Sequence, residues 1–121
     1  ELTDAKRLPA ADATFAAVVS NSIVHHIPEP FAVLAEMARV CRPGGMLFVR
    51  DLLRPDSEAE LAFLVETYAA GANQHQRQLF SDSLRAALTV EEVGEVVGRL
   101  GFPPDTVRRT SDRHWTWVAV R

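Results

Sequence analysis

Only one cysteine, Cys41, occurs in the 121 residues. That excludes an intrachain disulfide and a cysteine-based zinc cluster, and it fits a reducing, cytoplasmic setting. No run of about eighteen apolar residues is present, so no membrane span is expected. A dense Lys/Arg stripe is also missing. With 13 basic against 16 acidic residues the net charge is -3, and the chain carries no nucleic-acid signature of its own. The opening, Glu1 to Arg7, has neither the apolar stretch of a signal peptide nor an initiator Met. A processed product or the visible part of something longer is therefore expected. Internal repeats, low-complexity segments and an interdomain linker are absent too.

What remains is ordinary for a soluble globular protein: 47% hydrophobic and 24% charged residues. The length suits one small domain, residues 1–121, of α/β class. Residues 1–14 are polar, contain Pro9 and form an entry loop. Residues 15–21 form a short apolar run with little alternation, the pattern of a strand buried on both faces of a parallel sheet. Pro28 and Pro30 open a helix, where a missing N–H costs nothing. Phe31, Leu34, Ala35, Ala38 and Cys41 recur at helical spacing and make its apolar face. Arg39 and Arg42 complement the dipole at its end, and Arg42-Pro43-Gly44-Gly45 stops it. Met46 to Val49 is a second buried-type strand. Strand–helix–strand at this spacing allows a right-handed crossover with the two strands parallel.

Ser57 is an N-cap, with Glu58 and Glu60 in the first turn of a helix carrying Leu61, Leu64, Val65 and Tyr68. Gly71-Ala72-Asn73 interrupts it. A further helical piece follows, with a break expected near Ser81-Asp82-Ser83. Thr89 and Glu92 form a capping box for a last helix, which Gly101 ends. "TVRRTS" and "HWTWVAV" alternate and form an antiparallel hairpin. Trp115 and Trp117 share one strand face, where packing is the expected role. Leu34, Met37 and Cys41 are assigned to packing as well.

Ser20, Asn21 and Ser22 stand at the carboxyl end of a parallel strand, where ligands of open α/β sheets bind. Simple strand-end hydrogen bonding is the alternative. His25 and His26 allow three readings: metal ligands, a proton-transferring pair, or architecture at the strand–helix junction. The other histidines, His75 and His114, are distant in sequence, which disfavours metal. Asp51 and Arg54 follow the second strand and face a substrate or pair locally.

The stretches "DAKRLP" and "FAAVVSNSIVHHIPEPFAVLAEMARVCRPGGMLFVRD" closely resemble the later half of class I S-adenosylmethionine-dependent methyltransferases of the UbiE-like kind. The combination strand, His-His, Pro-Glu-Pro, helix, Arg-Pro-Gly-Gly, strand is fairly specific; "RPGG" alone is not. The resemblance covers residues 3–54 closely and the remainder loosely. It implies a partial Rossmann-like sheet holding strands that resemble the family's four to seven, the last antiparallel, with flanking helices. The family's glycine-rich cofactor loop and the acidic residue after its second strand are absent from this chain.

The resemblance also implies a cofactor and a site. S-adenosyl-L-methionine is the methyl donor, with S-adenosyl-L-homocysteine as product. Asp4 and Ala5 match the family's pair at the adenine. Ser20, Asn21 and Ser22 fall near the methionine end, and His25, His26, Asp51 and Arg54 become substrate-pocket candidates. Tyr68, His75, Arg77 and Phe80 lie where such enzymes carry substrate-recognition helices. No catalytic residue is assigned, because displacement at a sulfonium needs mainly alignment. A small molecule is the favoured methyl acceptor. In the family's sheet the strand at 16–21 lies beside strand one, which is missing here. Its apolar edge would therefore pair with an N-terminal half or with another copy of the chain. A noncatalytic interaction or dimerisation module derived from a methyltransferase is the alternative function, and a different α/β nucleotide-binding protein is a third.

Overall fold

The computed structural model describes residues 8, 11–22, 24 and 29–121. Strand β1 (Phe15–Asn21) leads through a junction to helix α1 (Pro30–Val40), which runs directly into β2 (Cys41–Leu52). Three helices follow: α2 (Glu58–Tyr68), α3 (Gln74–Ala86) and α4 (Val90–Arg99). A short 3-10 turn at Pro104–Thr106 precedes β3 (Val107–Arg109) and β4 (His114–Val120). The sheet order is β1-β2-β4-β3. β1 and β2 are parallel, and β4 enters antiparallel between β2 and β3. The parallel crossover and the terminal hairpin are those expected from the sequence.

The helix ends follow local chemistry. Pro30 begins α1, and Ser57 caps α2 by accepting from the Glu60 N–H at 3.1 Å. Thr89 and Glu92 close a reciprocal capping box on α4, with bonds of 3.1 and 2.9 Å. A second box, Asn73 with Gln76, starts α3. The expected break at Ser81-Asp82-Ser83 does not occur. Arg85 donates to Ser81 Oγ at 2.9 Å and Gln78 to Asp82 at 2.8 Å, so these polar side chains are bonded along the helix rather than against its backbone.

Another expectation fails at the helix–strand junction. Arg42-Pro43-Gly44-Gly45 does not end α1, which stops at Val40, and Cys41 is the first residue of β2 rather than part of a helix face. The four residues form a bulge within β2: pairing passes from Phe15–Cys41 to Ala17–Met46. Gly44 takes φ 82°, open to glycine without strain. Gly45 is needed for space, since a Cβ there would lie 2.8 Å from the Ala16 carbonyl oxygen.

Pairing along the ladders sorts the side chains into two faces. Val18, Leu47, Val49, Trp115, Trp117 and Ala119 point toward α1 and α4, joining Val33, Leu34, Met37, Val93 and Val97 in the main core. Trp117 meets Phe102 edge-on at 5.3 Å and donates from its indole to Thr106 Oγ1 at 3.1 Å. The other face carries Ala17, Val19, Met46, Phe48, Val118 and Val120. Val19 is 67% exposed and Val120 69%. β1 is thus not buried on both faces. Among the described residues it is an edge strand with one covered and one open side, since none of their elements lies beyond it or over that side. Among the described residues the second face is covered at the far end, where α2 and α3 pack Leu61, Leu64, Val65 and Leu84 around Leu52.

Candidate functional site

The carboxyl ends of β1 and β2 and the start of β4 meet at one end of the sheet. Asn21 pairs with Arg50, which pairs on its other side with Thr116; Leu52 pairs with His114. Ser22 extends the ladder by donating its N–H to the Arg50 carbonyl at 2.9 Å and then turns at φ 63°. A non-glycine residue in that left-handed conformation is costly, so the chain is steered sharply out of the sheet here. Asn21 and Ser22 are exposed, and the Ser22 hydroxyl donates to Asn21 Oδ1 at 3.1 Å.

Ser20 lies on the core side of β1. It is buried, and its hydroxyl has no hydrogen-bond partner among the described residues. A buried orphan hydroxyl costs free energy, so it marks a place where a further polar group fits. Trp115 Nε1, on the same side of the sheet, is also buried without a partner among the described residues.

Asp51 is fully buried. Its Oδ2 accepts from the Val24 N–H at 2.6 Å and its Oδ1 from the Leu52 N–H at 2.7 Å. The first bond spans 27 residues and ties the chain leaving β1 to the end of β2. Arg54 turns elsewhere, pairing with Glu92 at 3.1 Å and donating to the Ala87 carbonyl at 3.3 Å. The Thr89 backbone and Arg54 together hold the Glu92 carboxyl below its ordinary range. Arg54 also borders a groove of about 300 Å³ with Asp56, Glu60, Thr89, Glu91 and Arg109. Both signs of charge alternate there, and Arg109 approaches Glu60 at 3.7 Å. Asp4, Ala5, His25 and His26 lie outside the described residues.

Beside Asn21 sits a polar cluster that the sequence did not single out. Arg50 is half-buried and donates from Nη2 to His114 Nδ1 at 3.3 Å. Ser111 Oγ lies 2.7 Å from the same nitrogen. Burial, then Arg50 and Arg113, push the His114 pKa below the ordinary histidine value. Arg113 lies over the Tyr68 ring at 3.8 Å and pairs with Asp112 at 3.0 Å. Tyr68 donates to Asp112 at 2.5 Å, a bond that lowers the Asp112 pKa and raises that of Tyr68. The end of α2 is thereby clasped to the β3–β4 turn. The available signal was positional: Arg50 follows a buried-type strand, and His114 opens the alternating run that pairs with it. His75 is exposed on α3, Phe80 packs against the cluster around Leu52, and Arg77 donates to the Ala69 carbonyl at 3.1 Å. Among the described residues no three His, Cys, Asp or Glu side chains converge as a metal set. None of the described helices is long and apolar enough to cross a membrane.

Comparison with known proteins places this arrangement. Residues 1–49 match the family model described as "Methyltransferase domain". The whole chain is 43% identical to the 27-O-demethylrifamycin SV methyltransferase of Amycolatopsis mediterranei, of which it covers 42%. It is 34% identical, over 68% of its length, to a demethylmenaquinone methyltransferase of Beutenbergia cavernae, covering 38% of that protein. Among solved structures, an S-adenosylmethionine-dependent methyltransferase from Aquifex aeolicus superposes with a TM-score of 0.61 at 17% identity. That match takes in 97% of this chain and 51% of the other. The chain therefore has the fold of a partial Rossmann-like methyltransferase sheet, and it spans less than half the length of these two curated relatives.

Proposed function

We infer that this chain is the later half of a class I S-adenosylmethionine-dependent methyltransferase domain, and that it serves methyl transfer to a small-molecule acceptor together with an N-terminal half. The observation that carries this reading is the 43% identity to the Amycolatopsis methyltransferase across all of the chain. The open edge of β1 and the uncovered apolar face behind it support the second part. A strand edge unpaired among the described residues, beside exposed Val19, Met46 and Val118, is the surface an adjoining half would cover.

S-adenosyl-L-methionine, when bound, supplies an activated methyl group on a sulfonium. The chain's own residues would form one wall of its site. Ser20 offers a buried hydroxyl in need of a partner, and Asn21 and Ser22 offer exposed donors and acceptors at the strand end. Asp4 and Ala5 are proposed for the adenine end, and His25 and His26 for the acceptor side. Asp51 acts from below. By holding the Val24 N–H it fixes the path of the segment that follows Ser22. Its burial makes it a positioning residue rather than one that touches the acceptor. Arg54, paired with Glu92, stays an acceptor-side proposal only at the outer rim.

Titration calorimetry with S-adenosyl-L-homocysteine tests the reading. The native protein at full length is expected to bind it, and residues 1–121 alone to bind far more weakly. Tight binding by the 121 residues alone would contradict the half-site assignment. Absence of binding at any length would favour a noncatalytic interaction module built on the same fold.

A further inference from the structure

Arg50 is a half-buried cation at the ligand end of the sheet. Among the described residues no carboxylate lies within ion-pair distance of it; its hydrogen-bond partner is a histidine. This is unusual, since among the described residues the other semi-buried arginines are matched. Arg39 pairs with Asp12 and Glu36, Arg77 with Glu66, and Arg113 with Asp112. A guanidinium withdrawn from water and left without an anion is costly.

A guanidinium only donates, so His114 Nδ1 presents its lone pair to Arg50. Ser111 Oγ lies 2.7 Å from the same nitrogen and accepts the Arg113 N–H at 3.2 Å. With Nδ1 accepting, the neutral ring carries its proton on Nε2. The depressed His114 pKa agrees with this neutral state. The charged groups acting on the ring are Arg50 and Arg113, opposed by Asp112 and Asp51. Arg50 shares its sheet face with Asn21 and Thr116, in register on either side. The cluster thus offers hydrogen-bond donors and positive charge.

We propose that Arg50, steadied by His114 and flanked by Asn21, is the anchor for an anionic oxygen of the methyl acceptor, a phenolate or a carboxylate. The proposal rests on the methyltransferase reading and names the acceptor class for that same site. Arg50 binds and orients; it does not move a proton. The acceptor brings its own ionised group; a carboxylate can pair with the guanidinium through two oxygens, a phenolate through its one.

The test uses the native full-length protein with S-adenosyl-L-homocysteine present. Benzoate and 4-nitrophenolate serve as anionic probes and benzamide as the neutral control, with binding and the His114 ring titration followed by NMR. At least one anion is expected to bind and benzamide not to. The His114 midpoint should rise by about half a pH unit as Arg50 is neutralised. Arg50→Met should weaken anion binding by about tenfold or more, Arg50→Lys should restore part of it, and homocysteine-cofactor affinity should be unchanged in both. The tighter of the two anions identifies the acceptor group as phenolate or carboxylate. Equal anion binding by Arg50→Met and wild type would overturn the proposal. So would failure of both anions in a protein that still binds the cofactor product, since Arg50 would then serve the fold or another segment of the polypeptide. Anion binding through Arg50 without cofactor binding would support the subsite while removing the methyltransferase reading.

Discussion

Replacing Asp51 by alanine should loosen the junction after β1 more than any local contact there would suggest. Asp51 is 0% exposed and accepts two backbone N–H bonds, from Val24 at 2.6 Å and Leu52 at 2.7 Å. Hydrogen bonds to a charged group are worth roughly 1.5–3 kcal/mol each, so the pair supplies about 3–6 kcal/mol of direct interaction. Relief of the buried charge returns part of that. A net loss of about 3 kcal/mol is expected for Asp51→Ala. Asp51→Asn keeps the shape and one acceptor oxygen but turns an amide toward the second donor; about half the loss follows. Urea unfolding followed by tryptophan fluorescence suits the measurement, because Trp115 is the cross-strand partner of Asp51. Hydrogen exchange at the Val24 amide should accelerate in both variants. A loss below about 1 kcal/mol for alanine, or unchanged Val24 exchange, would refute the claim that this carboxylate holds the junction.

Two further outcomes follow from local geometry. In the β2 bulge, Gly45→Ala forces a Cβ to within 2.8 Å of the Ala16 oxygen and of Cys41 Sγ, and should cost about 2 kcal/mol or more. Gly44→Ala meets open space and only the strain of φ 82°, about 1 kcal/mol, so thermal melts should rank wild type above Gly44→Ala above Gly45→Ala. For His114 the folded pKa lies below the unfolded one, so the unfolded chain binds more protons between the two values. Stability should therefore rise with pH through that window and level off above the ordinary histidine pKa; going into acid it falls while the unfolded chain's histidine protonates and the part-buried folded ring stays neutral. His114→Gln should flatten this part of a pH series of denaturation midpoints; an unchanged slope would show that another group carries it.

The strand–helix–strand half was legible because its elements announce themselves. Pro30 opens α1, an apolar run precedes it, and Thr89 with Glu92 states where α4 begins. The Asn73 box was equally present in the sequence, but a Gly-Ala-Asn stretch reads first as an interruption, and its cap role depends on Gln76 bending back. The bulge was hidden because proline and two glycines signal a stop. They serve here as an irregular strand only because β1 lies on one side and Arg121 on the other, donating its N–H to the Gly45 carbonyl at 2.9 Å. The strand-end residues Ser20 to Ser22 could be picked out because the carboxyl end of a parallel strand is defined by chain direction alone. The Arg50–His114 pair could not. Those residues are 64 apart, and they meet only after β4 inserts in a given register beside β2. A one-residue slip would send His114 to the opposite face. Asp51 was visible as a polar residue after a strand, yet its bond to Val24 depends on how a loop closes, which no local pattern encodes.

The sheet order has a consequence for how the chain can be assembled and cut. β4 is the last strand in sequence but an interior one in space, and β3 is attached to the sheet only through it. During synthesis, β2 must wait with one flank unzipped until His114 to Val120 have emerged, so this fold cannot be laid down strand by strand. Trimming a few residues from one end and from the other is not an equivalent operation. Losing β1 would remove a border, whereas losing β4 would take the keystone and strand β3 without a neighbour. A reporter split should accordingly place its cut ahead of β2, so that β2, β3 and β4 stay on one fragment.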